Sequence, residues 1–379
     1  MIKIAIAGDY LPLNRVSELA KERKFDEVMG EVKTTLRECD YRIVNFECPV
    51  CTSDTPSIDK TGPSFKCDAS AVELLTYAGF DCATLANNHF FDFGQPGVDE
   101  TLATLEQSGI DHVGGGPNLQ VASKTLYKQL KGKTVAFINC AEHEFSIATE
   151  QSGGANPLDP VRQYRAIRES RCNADYVVII IHGGIEHYDH PTPRMQETYR
   201  FFIDAGADAV INHHQHYPNG YEIYHDKPIV YGLGNFCFDL PRYHNSLWNI
   251  GYVAVITFGD DGVELQTLPY SQCDTMPKVT FLKEKGLESF LGNMNELNKV
   301  ITTPGALKNE YEKFLERTIG KHASLLTPYA KRWARALYEK NLLPSYYPKK
   351  KWIELLNNIE CESHRERFVN FIKHKIRNW

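Results

Sequence analysis

The chain has 379 residues, a formal net charge of −6, 42% hydrophobic and 24% charged residues, proportions that fit a soluble globular protein and exclude a disordered or fibrous one. Its length favours one large domain with an appendage, or two domains. No stretch approaches the roughly 18 apolar residues of a membrane span, and the first residues run straight into an apolar segment without a leader pattern, so no membrane span, no secretion and a cytoplasmic location are expected.

In chain order, short apolar runs end abruptly in polar, metal-capable residues. Residues 2–7 lead to Gly8-Asp9, 42–44 to Asn45-Phe46-Glu47, and 82–85 to Ala86-Asn87-Asn88-His89. Residues 135–138 lead to Asn139, 176–181 to His182, and 209–211 to Asn212-His213-His214. Such runs read as buried strands whose carboxyl ends open onto loops.

Between them, helical periodicity marks residues 25–39, 69–78, 97–108 and 193–205, and Asp159-Pro160 marks a further helix start. Strand and helix alternation predicts an α/β body with its chemistry gathered where strands end. Segments 252–258 and 263–268 around Gly259-Asp260-Asp261-Gly262 predict a β-hairpin. The Gly114-Gly115-Gly116-Pro117-Asn118 segment lacks the spacing of a phosphate loop and reads as a turn passing close to the sheet.

From about residue 281 the pattern becomes helices separated by Pro304, Pro328, Pro344 and Pro348. Residues 1–275 are therefore expected to form the α/β domain and 281–379 a helical C-terminal extension. Residues 281–379 hold 19 Lys+Arg against 11 Asp+Glu, and the remainder 23 against 37. A basic tail of this kind can contact an anionic polymer, an acidic membrane surface or the acidic body of the chain itself, but such a bias is usually a solvated helix face, and no nucleic acid partner is expected. The 10 cysteines are scattered in apolar contexts, as expected of buried, reduced thiols, and the Cys48-x-x-Cys51 pair by itself is a weak sign of redox or zinc chemistry.

Seven of the 14 histidines fall between His182 and His225. Within that window His214 and His216 alternate, so both rings can face one side and suit a divalent ion. A lone His-x-His is more often two hydrogen-bonded surface rings. The balance moves once Asp9, Glu47, Asn88, His89 and His182 are included, because each follows an apolar strand and a parallel or mixed sheet delivers all of them to one edge. Oxygen and nitrogen donors in this mixture suit Mn²⁺, Fe or Zn²⁺.

Over residues 1–270 the motifs Gly8-Asp9, Asn45-Phe46-Glu47-Cys48-Pro49, Leu85-Ala86-Asn87-Asn88-His89 with Asp92-Phe93-Gly94, and His182-Gly183-Gly184-Ile185-Glu186 stand in a familiar order. Gly206-Ala207-Asp208, His213-His214-Gln215-His216 and Tyr231-Gly232-Leu233-Gly234-Asn235-Phe236 continue it. The chain resembles the CapA, or poly-γ-glutamate capsule synthesis, branch of the calcineurin-like metallophosphoesterases. The resemblance implies an α/β sandwich of mixed sheets flanked by helices, and two divalent metal ions. Asp9, Glu47 and His216 would hold one ion and Asn88, His182 and His214 the other, with Glu47 bridging and His89 as proton donor. Two ions would activate water and clamp phosphoryl oxygens. Leu11 stands where many wider relatives have a histidine, and Glu47 where they have an aspartate, features that the CapA branch shares.

Other residues carry two readings. Glu186 either orients a ligand or substrate, or is an exposed loop carboxylate. Asp92 would hold the His89 loop through backbone N–H groups. Lys66 either neutralises a substrate anion or is solvated, and Asn45 and Asn235 either bond the metal ligands or line the cleft. The functions in competition are a metal-dependent phosphoester hydrolase, an accessory protein binding the carboxylates of an anionic polymer, and hydrolysis of an amide by the same centre.

Overall fold

In the computed structural model, residues 1–325, 331–344, 347–360, 369, 372 and 376 are described, apart from 53, 61 and 261. Among these, two mixed sheets dominate. The larger places strand Ile2–Leu11 at its centre, parallel to Tyr41–Phe46 on one side and antiparallel to Ile250–Gly259 on the other. Cys82–Thr84 and Asp111–Val113 continue the parallel side, while Gly262–Gln272 and Val279–Phe281 continue the antiparallel side. Strand Asn235–Phe238 pairs with the far end of Ile2–Leu11. The second sheet runs Tyr221–Tyr224, Lys227–Val230, Ala209–His213, Tyr176–His182, Lys133–Ala141, Leu126–Leu130, with its three central strands parallel.

Period-2 alternation explains the layering. Ile2, Ile4, Ile6, Tyr41 and Ile43 face Phe137, Val178, Ile180 and Ile211 in a core between the sheets. The intervening Ala5, Ala7, Val44 and Phe46 point outward onto helices Asn14–Lys21, Phe25–Thr35 and Ser70–Ala78. On the other side Ile138, Val177 and Ile179 pack against Ile167 of helix Pro160–Asn173 and Tyr199 and Phe202 of helix Pro193–Ala205. The result is a helix, sheet, sheet, helix sandwich, as expected. Its ends are built locally: Asp159 Oδ1 accepts from the amides of Val161 and Arg162 ahead of Pro160, satisfying donors that the first helical turn leaves open.

Sequence and structure differ at several boundaries. Strand Lys133–Ala141 continues past Asn139. That residue is a buried cross-link, accepting from Ala86 N at 2.8 Å and donating to Ile180 O at 3.0 Å. The hairpin is present as Ile250–Gly259 and Gly262–Gln272, Asp261 lying outside the described residues. The compact body runs Met1–Lys308 rather than closing near 275, because helix Glu284–Thr302 buries Phe290, Met294 and Ile301 on it. A second unit, Asn309–Trp379, contains helices Arg332–Glu339 and Lys349–Glu360. Pro304, Pro344 and Pro348 fall between helices, and Pro328 lies outside the described residues. No helix among the described residues is long and apolar enough to cross a membrane.

Nine cysteines are described, and all are free thiols. Cys48 and Cys51 are buried, and burial pushes the Cys48 thiol up, which keeps it protonated. Six of the nine are buried, as expected of most of them, and Cys172 is exposed on helix Pro160–Asn173.

Candidate metal centre

Strand ends place the donors. The pairing of Ile2–Leu11 with its neighbour shifts register between Ala7 and Asp9, and such a bulge re-aims a side chain. Gly8 makes the shift feasible: a Cβ there would lie 1.9 Å from Gly234 O. Asp9 Oδ1 accepts from Asn45 Nδ2 at 2.7 Å and Oδ2 from His214 N at 3.1 Å, with His216 Nδ1 3.4 Å away. Burial alone would raise the Asp9 pKa, but the bond to His216 and the charges of His213, His182 and His216 hold it well below the usual carboxylate range.

Just past the second sheet's central strands, His182, His214 and His216 close on the same point. His182 Nε2 lies 3.0 Å from His214 Nδ1, 3.1 Å from Asn88 Oδ1 and 3.6 Å from Glu47 Oε1. His216 Nε2 is 3.9 Å from Glu47 Oε1, while its Nδ1 meets Asn235 Oδ1 at 2.9 Å. Asn235 also donates to His216 O at 3.2 Å, so one amide holds both ring and backbone. His214 and His216 have φ of 94° and 59°. Left-handed conformations are costly in non-glycine residues and persist where the surroundings enforce them. Here the His216 ring gains contact with the buried Asp9 carboxylate, and the His214 ring comes against Glu144 and within 4.8 Å of Glu47. The strand itself ends at His213, so the alternation predicted at a strand end is achieved by a strained turn.

Glu47 shows what the cluster is suited to hold. Its side chain is fully buried and neither Oε1 nor Oε2 has a hydrogen-bond partner. Burial, joined by the charges of Asp9, Glu186, Glu144 and Asp92, pushes its carboxyl well above the usual range. An unpaired carboxylate in such a place is costly unless a cation compensates it. Two donor groups share it: Asp9, Glu47 and His216, and Glu47, His182 and His214, the ligand atoms of each lying within 4.8 Å of one another. The residues therefore fit a metal ion. Leu11 is buried in the core and supplies no donor.

His89 is nearly buried beside the cluster. Its Nδ1 is bound to Asp92 Oδ2 at 2.7 Å, which leaves Nε2 for a partner in the cleft that His89 lines. Burial, with the charges of Lys60 and His216, lowers its pKa against the opposing pull of Asp92. Asp92 was expected to bind backbone of its own loop. It instead accepts the His89 ring, the Phe65 amide at 2.8 Å and the Lys60 ammonium, because its buried carboxylate faces the neighbouring 58–65 segment. Lys60 thus occupies the place foreseen for Lys66, whose ammonium lies 4.9 Å from the centroid of the Phe93 ring. Asn45 and Asn235 are buried and bond the donors rather than line the cleft.

A cleft of ≈ 130 Å³ opens over the cluster, with Asn88, His89, His216 and Glu186 on its wall. Glu186 is exposed there. Burial would raise its carboxyl, but His216, His214, His187 and His89 outweigh that and lower it. Glu144 was missed: Oε1 lies 3.4 Å from His214 Nε2, and Oε2 accepts from Asn88 Nδ2 at 3.4 Å. It follows the end of strand Lys133–Ala141, so the strand-end signal was available once that strand was extended past Asn139. Lys60 follows no strand, and no periodicity marks it.

The family model described as bacterial capsule synthesis protein PGA_cap matches residues 3–240. The chain is 30% identical over 246 residues to the capsule biosynthesis protein CapA of Bacillus anthracis, covering 63% of this chain and 60% of that one. It is also 30% identical over 243 residues to the PGA biosynthesis protein CapA of Bacillus subtilis, covering 63% and 64%. The chain thus spans less than two thirds of the length of either relative. Among solved structures, a phosphatase from Mycoplasma pneumoniae aligns with a TM-score of 0.45 at 12% identity, covering 72% of this chain and 95% of that one.

Proposed function

This chain belongs to the bacterial capsule synthesis protein PGA_cap family, and we propose that within it the protein is a hydrolase of phosphate esters working with two divalent cations. The observation that carries this reading is the buried Glu47 carboxylate, without a hydrogen-bond partner and shared by both donor groups. Asp9, Glu47 and His216 would hold one ion and Asn88, His182 and His214 the other, with Mn, Fe or Zn suited to the nitrogen and oxygen set. Such a pair would supply an activated water and charge to neutralise the oxygens of a phosphoryl group.

The chain's own residues do the rest. Asn235 keeps the His216 ring turned so that Nε2 faces Glu47, and Asn45 fixes the Asp9 carboxylate. Orienting bonds of this kind set ligand geometry. His89 presents Nε2 to the departing oxygen and delivers a proton there, its ring held by Asp92. Glu186 stands at the cleft wall and orients substrate. Purified protein loaded with Mn²⁺ is expected to cleave an aryl phosphate or phosphodiester, and Asn88→Ala to lower that rate by orders of magnitude. No turnover across a broad phosphoester panel, with metal bound, overturns the reading.

A second reading rests on the names of relatives: two concern capsule or PGA biosynthesis, and a third, from Mycobacterium tuberculosis, is described as a probable polyglutamine synthesis accessory protein. Here the centre binds carboxylates of an anionic polymer without turning it over. Metal-loaded protein then retains poly-γ-glutamate in a sedimentation assay, and absence of retention removes this alternative.

A further inference from the structure

The cleft over the metal donors contains a cation that the proposed chemistry does not use. Arg242 lies in the short 3-10 helix Pro241–Tyr243 and lines the cleft together with His187 and His216. Its guanidinium sits 4.8 Å from the centroid of the Tyr243 ring. Tyr243 stacks on Trp248 at 4.3 Å and 19°, and Trp248 lies 4.8 Å from His216. Two stacked aromatic rings therefore separate the guanidinium from a metal donor, and the column they form turns its edges to the cleft.

Arg242 is exposed at the cleft, and two facts set it apart from other surface arginines. Among the described residues no carboxylate pairs with it, whereas the other cation of the cleft, Lys60, is already bound to Asp92. The segment that carries it is also anchored. Buried Asp239 accepts from Arg15 Nη2 at 2.7 Å and Nε at 2.9 Å, and Ser246 and Asn249 close a capping box that spans Trp248. A guanidinium held on an aromatic face loses less freedom when it binds. Glu144 and Glu186 make the inner cleft acidic, so the negative charge of a ligand is favoured at the Arg242 end and at the cations, while Glu186 is left to the ligand's hydrogen-bond donors.

We propose that Arg242 reads a second anionic group on the substrate, a carboxylate or a phosphate, while the edges of the Tyr243 and Trp248 rings flank the flat or apolar stretch that joins it to the reacting phosphoryl group. The proposal rests on the reading of the Glu47 cluster as the reacting end. It makes Arg242 a specificity residue for doubly anionic substrates.

Calorimetric titration of Mn²⁺-loaded protein with phenylphosphonate, 4-carboxyphenylphosphonate and benzene-1,4-diphosphonate tests it. A bidentate, charge-assisted contact makes the carboxylated or doubly phosphonylated probe bind about tenfold more tightly than the plain one. That preference falls below about threefold in Arg242→Gln, with Arg242→Lys between. The derivative with the larger gain identifies which anion the site takes. No preference in the wild type, or an equal weakening of all three probes in Arg242→Gln, overturns the proposal. Hydrolysis of the matching phenyl phosphates separates it from the reading on which it rests. Turnover without any Arg242-dependent preference refutes the subsite alone, and Arg242-dependent binding preference without turnover of any ester refutes the hydrolase alone.

Discussion

Glu47 Oε1 lies 3.6 Å from His182 Nε2 in a fully buried setting, and neither oxygen of that carboxylate receives a hydrogen bond. His216 approaches the same oxygen at 3.9 Å from the other side. A cation held between these groups turns a destabilising charge into the centre of the site.

Metal binding should therefore appear as stability. Adding Mn²⁺ or Zn²⁺ at ~100 times Kd to protein stripped with a chelator raises the melting temperature by roughly 3–5 °C, from ~2.7 kcal/mol of linkage. In Glu47→Gln the rise shrinks to a small fraction, as differential scanning fluorimetry would register. With chelator present the order reverses, and Glu47→Gln melts at or above the wild type. The sign with pH follows: the folded carboxyl binds its proton more tightly than the unfolded one, so the wild type loses stability as pH rises above the unfolded value. The melting-temperature gap between Glu47→Gln and wild type, in chelator, should widen from pH 5 to pH 8. A constant gap contradicts it.

His89 acts beside the ions rather than on them. His89→Ala is expected to slow phosphoester turnover roughly 10²–10⁴-fold while keeping the metal-induced rise in melting temperature. Asp92→Asn, which weakens the 2.7 Å bond that aims the ring, should cost about 10–100-fold. Loss of the metal-induced rise in His89→Ala would mark the residue as a ligand instead.

Asp239 anchors the cleft-forming segment. The residue is fully buried and bound to Arg15, whose side chain is 33% exposed. Removing one partner of a buried pair costs about 3–5 kcal/mol, and the exposure of Arg15 reduces this to about 2–3 kcal/mol for Asp239→Ala. Urea denaturation would measure it; a loss under ~1 kcal/mol would mean that the segment is held by other contacts.

Close approach makes Gly8 irreplaceable. A Cβ at this position would meet Gly234 O at 1.9 Å and Tyr270 Oη at 3.2 Å. Gly8→Ala should destabilise by at least about 3 kcal/mol, the upper range of overpacking, and impair metal binding through the adjoining Asp9. Gly132→Ala, with φ +79° and open space, should cost only about 1 kcal/mol. Equal losses would show that local strain, not the clash, governs both positions.

Much of this molecule was legible in the chain itself. Alternating Ile2, Ile4 and Ile6 against Ala5 and Ala7 specify a strand buried on both faces, and Asp159-Pro160 and Thr192-Pro193 open helices where the structure has them. Polar residues at the ends of apolar runs marked Asp9, Glu47, Asn88 and the histidines, because side-chain periodicity and strand termination are local properties written in neighbouring residues. Tertiary packing alone decided which lysine reaches Asp92, that Glu144 stands against His214, that Asn235 aims His216, and that helix Glu284–Thr302 belongs to the body. Those contacts join segments 32, 70 and 19 residues apart in the first three cases, and no local pattern encodes a pairing that exists only once two sheets have closed over a shared core.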